Sequence, residues 1–459
     1  MRVPPRAATR RRFDVPVYRG RFGPAEAERL LWRAGFGPRR EEARRLAERG
    51  LDDAVSSLTH PGKERLVGKP PRDDKRRRLA PADAYGHDHL WWLDRMVRTS
   101  RPLVERMTLV WHDWFATSNN GVGSQKLMIE QNRLFRRFAL GNFRFLAHAV
   151  TADPAMLLWL SGADNAKDAP NENYARELME LFTLGEGNGY DERDVREQAR
   201  ALTGFRYSWS KNKGPVNFHF DPRRHDTGSK VVFGKRGNFD FRDACNLCLD
   251  HPAHPRFFVE KLWSYFIPVP PDVRTRRALE RMYKSSYEVR PVLDAILRHP
   301  KLYLGPRMVK PPVVYMAGLL RTLGRRVEGS SWVWLADGSG QRLFYPPNVA
   351  GWDDERWLDT ATFRGRWAIA NEALSKFVVE QKRGKKPPHV PFDAEKIVAN
   401  AVFLLGSPRI RRETHAALVR FAKTALRDAN EDWKKDAYPP LVLNAVRQLL
   451  AVSPDLQAA

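Results

Sequence analysis

Apolar residues recur every three to four positions along most of this 459-residue chain. That spacing lines one face of an α-helix. "GPAEAERLLWRAGFGPRREEARRLAERGLDDAVSSLTH" breaks at its glycines into three short amphipathic helices. The period resumes in "HLWWLDRMVRT", "PLVERMTLVWHDWFATS", "KLMIEQNRLFRRFALG" and "NFRFLAHAVTADPAMLLWLSG". "YDERDVREQARALTG" predicts a helix with Asp191 as N-cap, Asp194 in the capping-box place and Gly204 as its stop. Between 205 and 234 the pattern changes. "FRYSWS", the turn "KNKG", "VNFHF" and "KVVFG" alternate polar and apolar residues, which predicts a small β-hairpin or ribbon. Helical spacing returns from "FRDACNLCLDHPAHPRFFVEKLWSYFI" onward, and no fixed-period repeat is present.

The expected fold is mainly α, one large helical body with that β insertion. Residues 1–60 read as an N-terminal helical segment and 61–80 as a basic Pro- and Gly-rich connection. The main body is 81–380, followed by a linker over 381–392 and a C-terminal helical segment over 393–459 that packs on the body. Hydrophobic residues make up 42% of the chain, enough for a sizeable core. No apolar run approaches the roughly 18 residues that span a bilayer. Arg10, Arg11, Arg12 and Phe13 hint at a twin-arginine leader. "DVPVYRG" follows where an apolar stretch belongs, so the expectation is a cytoplasmic protein.

The formal charge is +25, and it is unevenly spread. Residues 1–80 carry +11, residues 81–270 carry +2 and residues 271–459 carry +12. The near-neutral middle argues against a nucleic-acid enzyme, which places its basic stripe beside its chemistry. Cys245 and Cys248 form a single C-x-x-C inside an expected helix, with no second pair for a structural zinc. They read as two buried thiols in a reducing compartment. "GVGS" lacks the strand and lysine of a P-loop, and neither G-x-S-x-G nor H-E-x-x-H occurs.

Three places carry candidate chemistry. In "APNENYARELMELFTLGEG", read as a helix, Tyr174, Leu178 and Leu181 share a core stripe, while Asn173, Glu177 and Glu180 share a second. If half-buried, Glu177 and Glu180 repel one another, one pKa rises, and the two become an acid/base pair or two oxygen ligands for a divalent metal. In "FDPRRHDTGSK", His225, Asp226 and Lys230 lie on a loop shaped by Pro222 and Gly228, where a histidine and its orienting carboxylate can meet. His112 lies among Trp111, Trp114 and Phe115, a core histidine or a metal ligand. A metal would then use Glu177, Glu180, His225 and His112. The catalytic set is Glu177, Glu180, His225 and Asp226; Arg176, Arg200, Asn173, Lys230 and Trp352 are the candidate substrate contacts. "YPPNVAGWDDERWLDT" could line a groove with its tryptophans or bury them in the core.

"LLWRAGFGP", "ERMTLVWHDWFATS", "TADPAMLLWLSGADN", "APNENYARELMELFTLG", "DVREQARALTGF", "FDPRRHDTGSK", "DHPAHPRFFVEKLW", "PPNVAGW" and "LLAVSPDLQ" follow one another in this order. From about residue 25 to its end the chain resembles the bacterial family called domain of unknown function 1800. The resemblance implies a predominantly helical single unit. Family members are often exported and often encoded beside a sulfatase-related family, domain of unknown function 1501. Two readings result. One is a hydrolase or metal-assisted acid/base enzyme. The other is a helical scaffold or partner subunit of a sulfatase-like protein, in which Arg176 and Arg200 stitch Glu172, Glu180 and Glu197 into ion pairs.

Overall fold

The computed structural model describes residues 15–380, 389–427, 429 and 432–459. The Arg10–Phe13 string and residues 381–388 of the expected linker lie outside the described residues. Helices make up 57% of the described residues, and the sheets among them are two antiparallel two-stranded ribbons. No helix among the described residues is long and apolar enough to cross a membrane.

The opening segment forms three helices, Pro24–Arg33, Glu42–Glu48 and Gly50–Thr59. The helix Glu192–Ala201 starts as its sequence dictates. Asp191 accepts from the backbone of Arg193 and Asp194, and Asp194 answers at the Asp191 N–H. In the β insertion, Phe205–Ser210 pairs with Gly214–Phe220 in the register Phe205↔Phe220 and Ser210↔Gly214, with a bulge between Arg206 and Ser208. Lys230–Val232 and Lys235–Gly237 form the second ribbon, fastened to the Glu192–Ala201 helix where Glu197 Oε2 accepts from Val231 N at 2.9 Å.

Two apolar clusters fill the body. The first gathers Trp111, Trp114, Phe115, Phe143, Phe258 and Tyr283; the second gathers Trp92, Met96, Tyr315, Trp332, Phe344 and Val446. The helix Pro102–Trp114 feeds both, with Trp111 in one and Leu109 in the other. The helix is enclosed on all sides although it carries Glu105, Arg106 and His112, and of its thirteen residues Asp113 alone is not buried. That exception marks where the core opens.

The stretch read as one α-helix from Asn173 is two pieces. It is α-helical over Asn173–Glu177 and turns into a π-helix over Leu178–Thr183, where Leu184 N reaches back five residues to Met179 O at 2.8 Å. The Thr183 hydroxyl closes the same spacing on Leu178 O. The wider turn shifts the face that follows it. Tyr174 and Leu178 are buried as expected, whereas Leu181 is only half-buried.

Candidate functional site

Arg176 is the centre of a solvated acidic ladder. It lies 3.2 Å from Glu172, 3.4 Å from Glu180 and 2.7 Å from Glu192, which arrives from the next helix. All four side chains keep at least a quarter of their surface in water. Glu177 is half-buried, and its carboxyl is raised above the ordinary value by desolvation and then by the Glu180 charge. Asn173 is exposed.

The His225 turn is tied by its own groups. Arg200 Nε meets Asp226 Oδ2 at 2.7 Å, and its Nη1 meets Glu197 Oε2 at 2.9 Å. Asp226 Oδ1 accepts from Gly228 N at 2.7 Å, and Asp226 N donates to Thr203 Oγ1 at 2.8 Å. Burial pulls the Asp226 carboxyl upward, but the Arg200 bonds and charge hold it below the usual range. His225 Nδ1 lies 3.0 Å from Thr203 O. Lys230 is fully buried, its ammonium donating to Asp226 O and, at 3.1 Å, to Gly228 O. Each of these partners completes a turn.

His112 is packed by rings, with centroids 5.3 Å from Trp92 and 5.4 Å from Trp352, and burial pushes its pKa down to about 3. Among the described residues no three His, Cys, Asp or Glu side chains gather as a metal ion needs. Glu177, Glu180, His225 and His112 therefore do not form the ligand set expected of them. Cys245 and Cys248 are unpaired and buried, as expected.

The structure instead opens a cleft of about 200 Å³ at the exposed side of Asp113. Arg106, Asp113, Lys261, Tyr265, Trp352 and Trp357 line it. Asp113 comes from the last turn of the Pro102–Trp114 helix, and Lys261 and Tyr265 from the helix His254–Ser264 and its C-cap. The loop "PPNVAGW" is laid across Asp113, so that Trp352 N donates to Asp113 Oδ1 at 2.9 Å. Only glycine permits this approach. Gly351 has φ +99°, and a Cβ there would stand 2.4 Å from Asp113 Oδ1. Tyr265 Oη donates to the other carboxylate oxygen at 2.7 Å.

Lys261 is half-buried in an aromatic box, its ammonium 4.8 Å from the Trp114 ring centroid and 5.5 Å from that of Phe257. It donates to Leu181 O at 2.8 Å, a carbonyl presented by the π-helix. Burial lowers its pKa to about 8, and Asp113 acts against that fall through space. Desolvation raises Asp113, which the Tyr265 and Trp352 bonds partly offset. Burial lowers Arg106 to about 10. A lysine titrating near neutrality beside a carboxylate and a phenol can pass protons or attack an electrophile.

Of the candidate site residues expected from sequence, Trp352 reaches this cleft, together with Trp357 of the same loop. Arg106, Asp113, Lys261 and Tyr265 were read as helix or core. The signals on offer were an acid among aromatic residues at the end of the Pro102–Trp114 helix, and a glycine directly before a tryptophan in a Pro-rich loop; neither points to Arg106, Lys261 or Tyr265.

These features define a mainly helical protein with a polar cleft beside Asp113. "ERMTLVWHDWFATS", "DHPAHPRFFVEKLW" and "PPNVAGW", three of the strings that carry the resemblance, meet there. The chain belongs to the family described as Protein of unknown function (DUF1800), whose model matches residues 29–458. No curated protein and no solved structure matches it significantly.

Proposed function

We propose that the protein is an acid/base enzyme of the hydrolase kind and that the Asp113–Lys261 cleft, not the Glu177 helix, is its active site. The observation that carries this reading is the Lys261 ammonium, fixed on Leu181 O in an aromatic box and facing the same cavity as Asp113 and Tyr265. Lys261 would transfer the proton, Asp113 would set its charge and Tyr265 would orient Asp113. The unpaired thiols Cys245 and Cys248 fit a reducing, cytoplasmic setting.

Pulse acylation with acetic anhydride, read by peptide mass spectrometry across pH, tests the reading without a known substrate. Half-maximal labelling of Lys261 is expected near pH 8. Turnover on ester, phosphate-ester, sulfate-ester or glycoside substrates is expected to vanish in Lys261→Met and persist in Glu177→Gln. A Lys261 that labels only in the ordinary lysine range, at about pH 10.4, removes the acid/base assignment. It leaves the helical scaffold, or partner of a sulfatase-like protein, as the better account. Turnover lost in Glu177→Gln alone returns the chemistry to the acidic helix.

A further inference from the structure

Arg106 is 4% exposed, yet it is almost without partners. Its one hydrogen bond within the described residues is Nη2 to Tyr265 O at 3.5 Å, the long limit of such a contact, and its Nε has no acceptor. Three other buried arginines, Arg366, Arg33 and Arg321, each hold several closer acceptors. Arg366 donates to Trp357 O at 2.7 Å, Lys310 O at 2.8 Å and Gln457 Oε1 at 3.0 Å. Arg33 donates to Phe266 O at 2.6 Å and Ala459 O at 2.6 Å. Arg321 reaches Gly37 O at 3.1 Å and Glu42 Oε2 at 3.3 Å. A buried guanidinium holds five donors and requires acceptors for them.

Two other residues of the cavity lining carry unpaired donors. The indole N–H groups of Trp352 and Trp357 are buried with no partner. Of the cavity's two carboxylates, Asp113 already accepts from Tyr265 and Trp352, and Asp354 is exposed. The ammonium of Lys261 adds a second positive charge. A neutral apolar ligand would leave the Arg106 guanidinium without acceptors. The volume, about 200 Å³, is below the roughly 300 Å³ at which pockets for drug-sized ligands begin.

We propose that the cleft binds an oxyanion, a carboxylate, sulfate or phosphate group on a compact apolar body, with Arg106 as its clamp and the Trp352 and Trp357 rings against the body. This names the substrate class for the active site proposed above and rests on that reading for its role in turnover, although binding itself does not require it. The clamp suits a fork of two oxygens, which a guanidinium meets through two parallel N–H donors.

The test titrates the full-length protein with acetate, benzoate, inorganic sulfate and inorganic phosphate by calorimetry, at ionic strength matched with chloride. Saturable binding of at least one is expected. Benzoate binding more tightly than acetate would report the apolar wall; sulfate or phosphate preferred over both would assign the group to an ester of that acid. Arg106→Met is expected to weaken binding about thirtyfold or more, and Arg106→Lys to recover part of it. Protection of wild-type Lys261 from acylation by the bound anion checks the same point without a variant. No saturable binding to folded wild-type protein, or equal binding to Arg106→Met, overturns the inference. The two proposals separate cleanly. A Lys261 of pKa near 8 that no anion protects keeps the acid/base reading and discards the oxyanion. An anion that protects a Lys261 of ordinary pKa does the reverse.

Discussion

Replacing Gly351 with alanine tests whether the aromatic loop owes its place over Asp113 to close backbone approach. Two costs follow from the geometry. The residue has φ +99°, where a side chain is strained by about 1–2 kcal/mol. The new methyl group would also stand 2.4 Å from Asp113 Oδ1 and 3.0 Å from Asp113 O, against an ordinary contact of 3.4 Å or more. The Asp113 backbone is fixed in the Pro102–Trp114 helix and its carboxylate is held by Tyr265, so the loop must retreat by roughly 1 Å. That retreat breaks the 2.9 Å bond from Trp352 N to the carboxylate. A hydrogen bond to a charged group contributes about 1.5–3 kcal/mol, giving a total of about 2.5–5 kcal/mol. Gly324 is the control, because it has φ +63° with nothing within 4 Å, and alanine there should cost only the strain of about 1–2 kcal/mol. For a chain of 459 residues each kcal/mol moves Tm by about 1 °C. Calorimetry should therefore show a fall of about 2.5–5 °C for Gly351→Ala and about 1–2 °C for Gly324→Ala. Equal falls would refute the overlap argument.

Arg176→Ala should lower stability by less than about 1 kcal/mol and leave the protein folded, since its three carboxylate partners are all partly solvated; a large loss in a thermal melt would show the ladder to be structural. Glu105→Gln should be severe, about 3–5 kcal/mol in urea unfolding. Glu105 is fully buried between Arg136 at 2.5 Å and Arg95 at 3.2 Å, and its neutralisation strands Arg136, while Arg95 keeps Glu64 at 2.7 Å. Lys310 is buried against the Trp32 ring, and burial lowers its pKa to about 7 despite the Glu28 charge. Between about pH 7 and 10.4 the unfolded chain holds the proton that the folded chain has released, so stability should rise with pH across that window. Lys310→Met should flatten that rise in denaturant midpoints measured at both ends; an unchanged slope would locate it in other groups.

Local chemistry was legible wherever neighbours in sequence are neighbours in space. The Asp191 and Asp194 capping box, the hairpin over 205–220 and the Arg176 pairs to Glu172 and Glu180 are all contacts within fifteen residues. Arg200 and Asp226 are 26 residues apart, and no local pattern shows that the guanidinium locks the carboxylate that His225 was expected to use. The cleft is harder still. Tyr265 meets Asp113 across 152 residues, and Trp352 meets it across 239. A single acid, lysine or arginine on an apolar helix reads as core packing until the tertiary fold puts the three into one cavity. The π-turn was also hidden, because it changes the helical face without changing composition.

That π-turn is what joins the acidic helix to the cleft. A helix end leaves carbonyls without intrahelical donors, and side chains must supply them. Here Leu181 O accepts from Lys261 at 2.8 Å, Phe182 O from Trp114 Nε1 at 3.0 Å and Thr183 O from His254 Nδ1 at 2.8 Å. A carbonyl only accepts, so His254 carries its proton on Nδ1, which leaves Nε2 to accept from Tyr283 Oη at 2.8 Å. The negative end of the helix thus faces the Lys261 ammonium and favours its charge, as do the Asp113 carboxylate and the ring faces, while desolvation disfavours it. These opposing effects leave the amine poised near neutrality instead of permanently charged or permanently neutral. On the far side, Glu172 and Glu180 hold Arg176, which ties this helix to Glu192 on the next. Glu172 and Glu180 in "NENYARELMELF" therefore anchor the segment from outside, and its Leu181 carbonyl, not its carboxylates, meets Lys261 of the proposed cleft.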